Sequence, residues 1–79
     1  MTDKLHWLGN GLYLAEINGR EHQVWVSGPN FHGDTGHATV NDKRDEDLDE
    51  DEMRAGHLAE MHAHGIDVVG AEVLDQRGS

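Results

Sequence analysis

The sequence predicts a small α+β domain: an antiparallel β-meander of three N-terminal strands plus a C-terminal strand, with one main helix packed on the sheet. Three observations carry this. Two turn signals, Gly9-Asn10 and Asn18-Gly19, divide an N-terminal third that is rich in strand-forming residues. An acidic stretch with capping-box spacing opens a helical segment that Gly65 closes. The stretch "IDVVGAEVL", residues 66–74, then returns to strand character.

The first three strands follow from the turns. Asn-Gly is the preferred type I′ hairpin pair, because both central residues need positive φ. A two-residue loop at Asn18-Gly19 pairs Ile17 with Arg20, Leu14 with Gln23 and Leu12 with Trp25. The same treatment of Gly9-Asn10 pairs Leu8 with Gly11, Trp7 with Leu12 and Leu5 with Leu14. Side chains alternate faces along a strand, so Leu5, Trp7, Leu12, Leu14 and Trp25 are expected on one buried face. The opposite face, with His6, Leu8, Tyr13, Ala15, His22, Val24 and Val26, is expected to be mixed and only partly covered.

Ser27 to Asp42 reads as a loop rich in Gly, Asn and Asp, with a short strand over Ala38–Val40. The helix comes next. Asp47 and Glu50 have capping-box spacing, and Gly65 suits the C′ position, with Ile66 behind it reaching Met61 in a Schellman ending. Met53, His57, Leu58 and Met61 fall on one arc, expected to lie on the Leu5/Trp7/Leu12/Leu14/Trp25 face. Gly70 marks a bulge or a close approach in the last strand.

At 79 residues the chain is expected to form a single domain, residues 1–79. Such a domain buries only about 60% of the surface its unfolded chain exposes. There is no cysteine, so neither disulfides nor thiolate zinc sites support it, which fits a reducing cytoplasm. No apolar run is long enough to span a bilayer, and "MTDKLHWLGNG" lacks the basic start and apolar stretch of a signal peptide. A soluble protein of the bacterial cytoplasm is expected.

Sixteen acidic residues oppose six basic ones, for a formal charge of −10. Seven of the acids stand in "RDEDLDEDE": Asp45, Glu46, Asp47, Asp49, Glu50, Asp51 and Glu52. Without them the charge of −10 falls to −3, so the acidity is local. A field of this sign repels nucleic acid and anionic membrane and steers the protein toward basic surfaces.

Three readings of the run compete. Asp45, Asp47 and Asp49 match the opening of an EF-hand loop, but its sixth position is Glu50 where glycine is needed, and its twelfth is Gly56 where the bidentate glutamate belongs. A solvated helix start explains one or two carboxylates through the macrodipole, each typically worth ~0.3–1 kcal/mol, but not seven. If the run is helical it spans about 12 Å. Its charges then approach the axial density of duplex DNA, roughly one per 1.7 Å. The seven acids are therefore expected to bind Lys and Arg that otherwise hold phosphates, with Asp34 and Asp42 extending the patch.

Histidine is the other excess, with seven in the chain. His57, Glu60 and His64 share a helix side at i, i+3 and i+7, a suitable spacing for zinc with a water as fourth ligand. His57 falls between Met53 and Met61 on the expected core arc, which favours a packed histidine. His32, Asp34 and His37 could also meet a metal, but in a loop too rich in glycine to be rigid. No P-loop lysine accompanies that loop. Ser27 and Ser79 have no base at a diagnostic spacing, and the clustered acids lack the burial that separates pKa values. No catalytic residue, metal site or cofactor is assigned, and an enzyme is not expected.

In size, acidity, single-domain build and lack of catalytic residues the chain resembles the small acidic phage-encoded anti-CRISPR proteins. The resemblance is one of class, rests on no shared motif and transfers no residue. It implies a stoichiometric inhibitor that binds a CRISPR effector subunit and prevents DNA capture. The residues themselves point to a basic, Lys/Arg-rich nucleic-acid-binding protein as partner, without direct nucleic-acid or membrane binding, and to a monomer or weak dimer. The competing readings are a small His/carboxylate metal-binding module and a structural subunit of a larger assembly.

Overall fold

The computed structural model describes residues 3–27 and 37–76. The fold is α+β: a five-stranded mixed sheet with one helix packed on it. Strands β1 (Asp3–Gly9), β2 (Leu12–Ile17), β3 (Arg20–Ser27) and β4 (His37–Val40) precede helix α1 (Glu50–Ala63), and β5 (Ala71–Asp75) follows it. The sheet order is β4-β3-β2-β1-β5. Neighbours from β1 to β4 are antiparallel, whereas β5 runs parallel to β1. The short strand expected at Ala38–Val40 and the expected C-terminal strand stand one at each edge, and the latter is parallel rather than antiparallel to its neighbour. A parallel neighbour needs a long crossover, and α1 supplies it.

The Asn18-Gly19 hairpin has the expected register: Ile17 pairs with Arg20, Leu14 with Gln23 and Leu12 with Trp25. Asn18 and Gly19 both take positive φ, at 52° and 79°. The first hairpin departs from expectation. Its turn residues are Asn10 and Gly11, at 52° and 81°, and a bulge between Trp7 and Gly9 takes Leu8 out of register. Trp7 therefore pairs with Tyr13, and Leu5 with Ala15. One extra residue reverses which faces meet. Gly11 has no substitute here, because a Cβ would collide with the Val26 carbonyl oxygen.

The helix covers the face of Tyr13, Ala15, Ile17, His22, Val24 and Val26, joined by Leu5, Ala38 and Val40. Leu12, Leu14 and Trp25, expected in the core, lie on the opposite face, which among the described residues is left uncovered. The two faces of β2 and β3 differ in content, and that decides the outcome. The covered one has His22 as its one polar residue between Tyr13 and Val26 apart from the turn and Arg20; the other carries Glu16, Glu21 and Gln23. Burying the latter would strand charges.

Helix α1 also turns a different side inward. Ala55, Gly56, Leu58 and Ala59 are buried, while Met53 is 52% exposed and His57 is exposed. Small residues let the helix approach closely: a Cβ on Gly56 would stand 3.0 Å from Val40 Cγ2. The capping box is Asp49 with Glu52 rather than Asp47 with Glu50. The C-terminal end is as expected. Gly65 has φ 74°, its N–H donates to the His62 carbonyl, and the Ile66 N–H donates to the Met61 carbonyl at 2.9 Å.

Candidate partner-binding surfaces

The acidic run folds as two pieces. Asp45–Asp47 form one 3₁₀ turn, Leu48 and Asp49 are extended, and α1 starts at Glu50. Leu48, the one apolar residue of the run, packs on the core and makes the corner. The seven carboxylates thus do not line a single helix.

The fold also divides their roles. Asp45, Glu46, Asp47 and Glu50 are exposed. Glu46 makes a loose ion pair with Arg44 at 3.6 Å. Asp49 is exposed but caps the helix, its Oδ1 accepting the Glu52 N–H at 2.8 Å. Asp51 Oδ1 accepts from the Asn18 side-chain amide at 2.9 Å, tying the β2–β3 turn to the helix start. Glu52 is buried. Its placement removes it from the residues expected to meet a partner.

Glu52 belongs to a polar network beneath the helix N-terminus. The Asn41 amide donates to Oε2 at 3.0 Å, the Asp49 N–H to Oε1 at 3.1 Å, and Lys43 Nζ to Oε1 at 3.1 Å. These donors, Asn41 first, lower the carboxyl pKa from 4.5 to about 2. Asn41 also meets His22 Nδ1 at 3.1 Å, and its Oδ1 accepts the Gln23 N–H. A second network lies nearby. Arg54 Nε donates to Asp3 Oδ2 at 2.7 Å, and its Nη2 donates to the Gly70 carbonyl at 3.1 Å. The close approach expected at Gly70 is this one, since a Cβ there would stand 3.0 Å from the Arg54 nitrogen.

The uncovered sheet face forms a second surface. Leu8, Leu12, Leu14 and Trp25 line a cleft of about 380 Å³ that also touches Gln23, Thr39 and Asp42. Trp25 is 50% exposed, Leu8 45% and Leu12 40%. An apolar anchor was expected on an exposed sheet face at Tyr13, Val24 and Val26, but these are buried, and the open face is the one whose residues read as core. The three polar residues interleaved on the β2 and β3 strands were the available signal.

Among the described residues, no three His, Asp or Glu side chains converge as a metal site. His57 and Glu60 border a groove between α1 and β4, and His57 and His64 are both exposed. The His32, Asp34 and His37 set falls on side chains outside the described residues, as does the proposed extension of the patch through Asp34. No helix among the described residues is long and apolar enough to cross a membrane. No family, curated protein or solved structure matches the chain.

Proposed function

We propose that this domain is a non-catalytic inhibitor that docks on a basic, nucleic-acid-gripping surface of another protein and occupies it. The observation that supports this is the set of exposed carboxylates, Asp45, Glu46, Asp47 and Glu50, held around the helix N-terminus beyond what its cap requires. Long-range attraction from such a patch accelerates encounter with Lys/Arg-rich surfaces and repels nucleic acid. Because the run is bent at Leu48, the reading rests on a compact carboxylate cluster competing with phosphates, and duplex geometry is not imitated. A CRISPR effector subunit or similar defence complex, the partner class implied by the resemblance, carries surfaces of this kind.

The test compares wild type with the variant Asp45→Asn, Glu46→Gln, Asp47→Asn, Glu50→Gln, which leaves Asp49, Asp51 and Glu52 in place and is checked for folding by thermal melting. Nuclease-treated bacterial lysate is passed over each, and a captured nucleic-acid-binding protein is assayed for DNA binding as the domain is added. Wild type is expected to capture the partner, lose it as salt rises and suppress its DNA binding, while the folded variant does neither. Equal capture and equal inhibition by both proteins would end the proposal.

A further inference from the structure

We infer that the uncovered sheet face is a docking site for a partner segment with a bulky apolar side chain flanked by Lys or Arg. The inference deepens the proposed function and rests on its reading of a basic partner. It starts from the registers. Leu8, Leu12, Trp25 and Thr39 lie toward one end of the face, where Leu12 pairs with Trp25 and Trp25 with Thr39. Lys4, Glu16 and Glu21 form a row at the other end, with Glu72 beside Lys4. The face therefore has an apolar region and a charged margin in which acids predominate.

The cleft has room for a bulky side chain. Its volume of about 380 Å³ is floored by leucines and the Trp25 ring, and its polar members Gln23, Thr39 and Asp42 offer an amide, a hydroxyl and a carboxylate. Those groups suit a peptide backbone and a cationic neighbour. Tryptophan is also one of the residue types enriched at interface hot spots.

Charge selects the occupant. A second copy would bring a face of the same sign, on which Glu16, Glu21, Glu72 and Asp42 outnumber Lys4, in a chain whose formal charge is −10. A basic-flanked segment meets the same margin with opposite charge. Asp42 also borders the cleft and adds a carboxylate beside its apolar lining.

The experiment uses the synthetic peptide Lys-Arg-Leu-Phe-Leu-Arg-Lys, a twin with Glu at each cationic position, and amide and indole shift mapping of the ¹⁵N-labelled domain. The basic peptide is expected to shift Leu12, Gln23, Thr39 and the Trp25 indole, and the acidic twin is not. Trp25→Ser and Leu12→Ser, each checked by thermal melting, are expected to weaken binding roughly tenfold or more. Shifts confined to 45–50, equal response to both peptides, or no response to the basic one would overturn the inference. So would a dilution-dependent Trp25 signal matching a dimer by sedimentation, because a second copy would then cover the face. The acid-neutralised variant separates the two proposals. If it still captures partner while Trp25→Ser loses the peptide, the cluster reading fails and this one stands.

Discussion

Glu52 draws its stabilisation from the Asn41 amide, the Asp49 backbone and the Lys43 ammonium, and each favours the ionised carboxylate. With a folded pKa of about 2, below the 4.5 of an unperturbed glutamate, the folded state binds the proton less readily than the unfolded chain. The contribution is therefore fully present above pH 4.5 and is lost as the pH falls through about 2. Glu52→Gln is expected to destabilise the domain at neutral pH and to flatten the acid limb between those two values. Urea unfolding at a series of pH values measures both effects. An acid limb as steep as that of wild type would place the sensitivity elsewhere. In the sequence Glu52 is indistinguishable from its six acidic neighbours, because the donors that set it apart come from Asn41 and Lys43, brought in by β4 and the turn behind it.

At the scale of elements, α1 shows how size misleads a periodicity argument. Met53, His57, Leu58 and Met61 drew the expected arc, yet of these Leu58 alone is fully buried, and Ala55, Gly56 and Ala59 make the contact beside it. Leu58→Ala is expected to cost about 2–5 kcal/mol, as for a buried leucine that leaves a cavity. Met53→Ala should change stability by about 0.5 kcal/mol or less, as an exposed position does. Denaturant midpoints measure both effects, and a large loss for Met53→Ala would return the helix to the expected face. Much of the fold was legible: the Asn18-Gly19 hairpin, the short strand before the acidic run and the Gly65 helix end follow from local turn and cap chemistry, and the last strand, expected over residues 66–74, is present from Ala71 on. What was not legible is the Leu8 bulge. It shifts β1 by one residue, and only the difference in polar content between the two faces of β2 and β3 reports which side is buried. That one displacement hid the Trp25 surface and put the wrong face under the helix.

At the scale of the whole molecule, the β2–β3 turn, the end of β4 and the start of α1 meet at one end and are tied there by side chains. Asn18 reaches Asp51, Lys43 reaches Glu52, and Arg54 joins Asp3 of β1 to Gly70 before β5. Arg54 is partly exposed, so its ion pair contributes on the order of 1 kcal/mol or less. Its larger effect is local. Arg54→Met is expected to speed amide exchange in residues 71–75 while the global melting temperature falls only slightly, and a uniform rise across the sheet would contradict this. The parallel pairing of β5 with β1 has a further consequence for biosynthesis. As the chain leaves the ribosome, the three antiparallel strand pairs can close while β1 still presents an unpaired outer edge, because the strand that covers it lies more than sixty residues downstream. During that interval the nascent domain offers its neighbours a template for strand addition, and the arrival of residues 71–75 closes it.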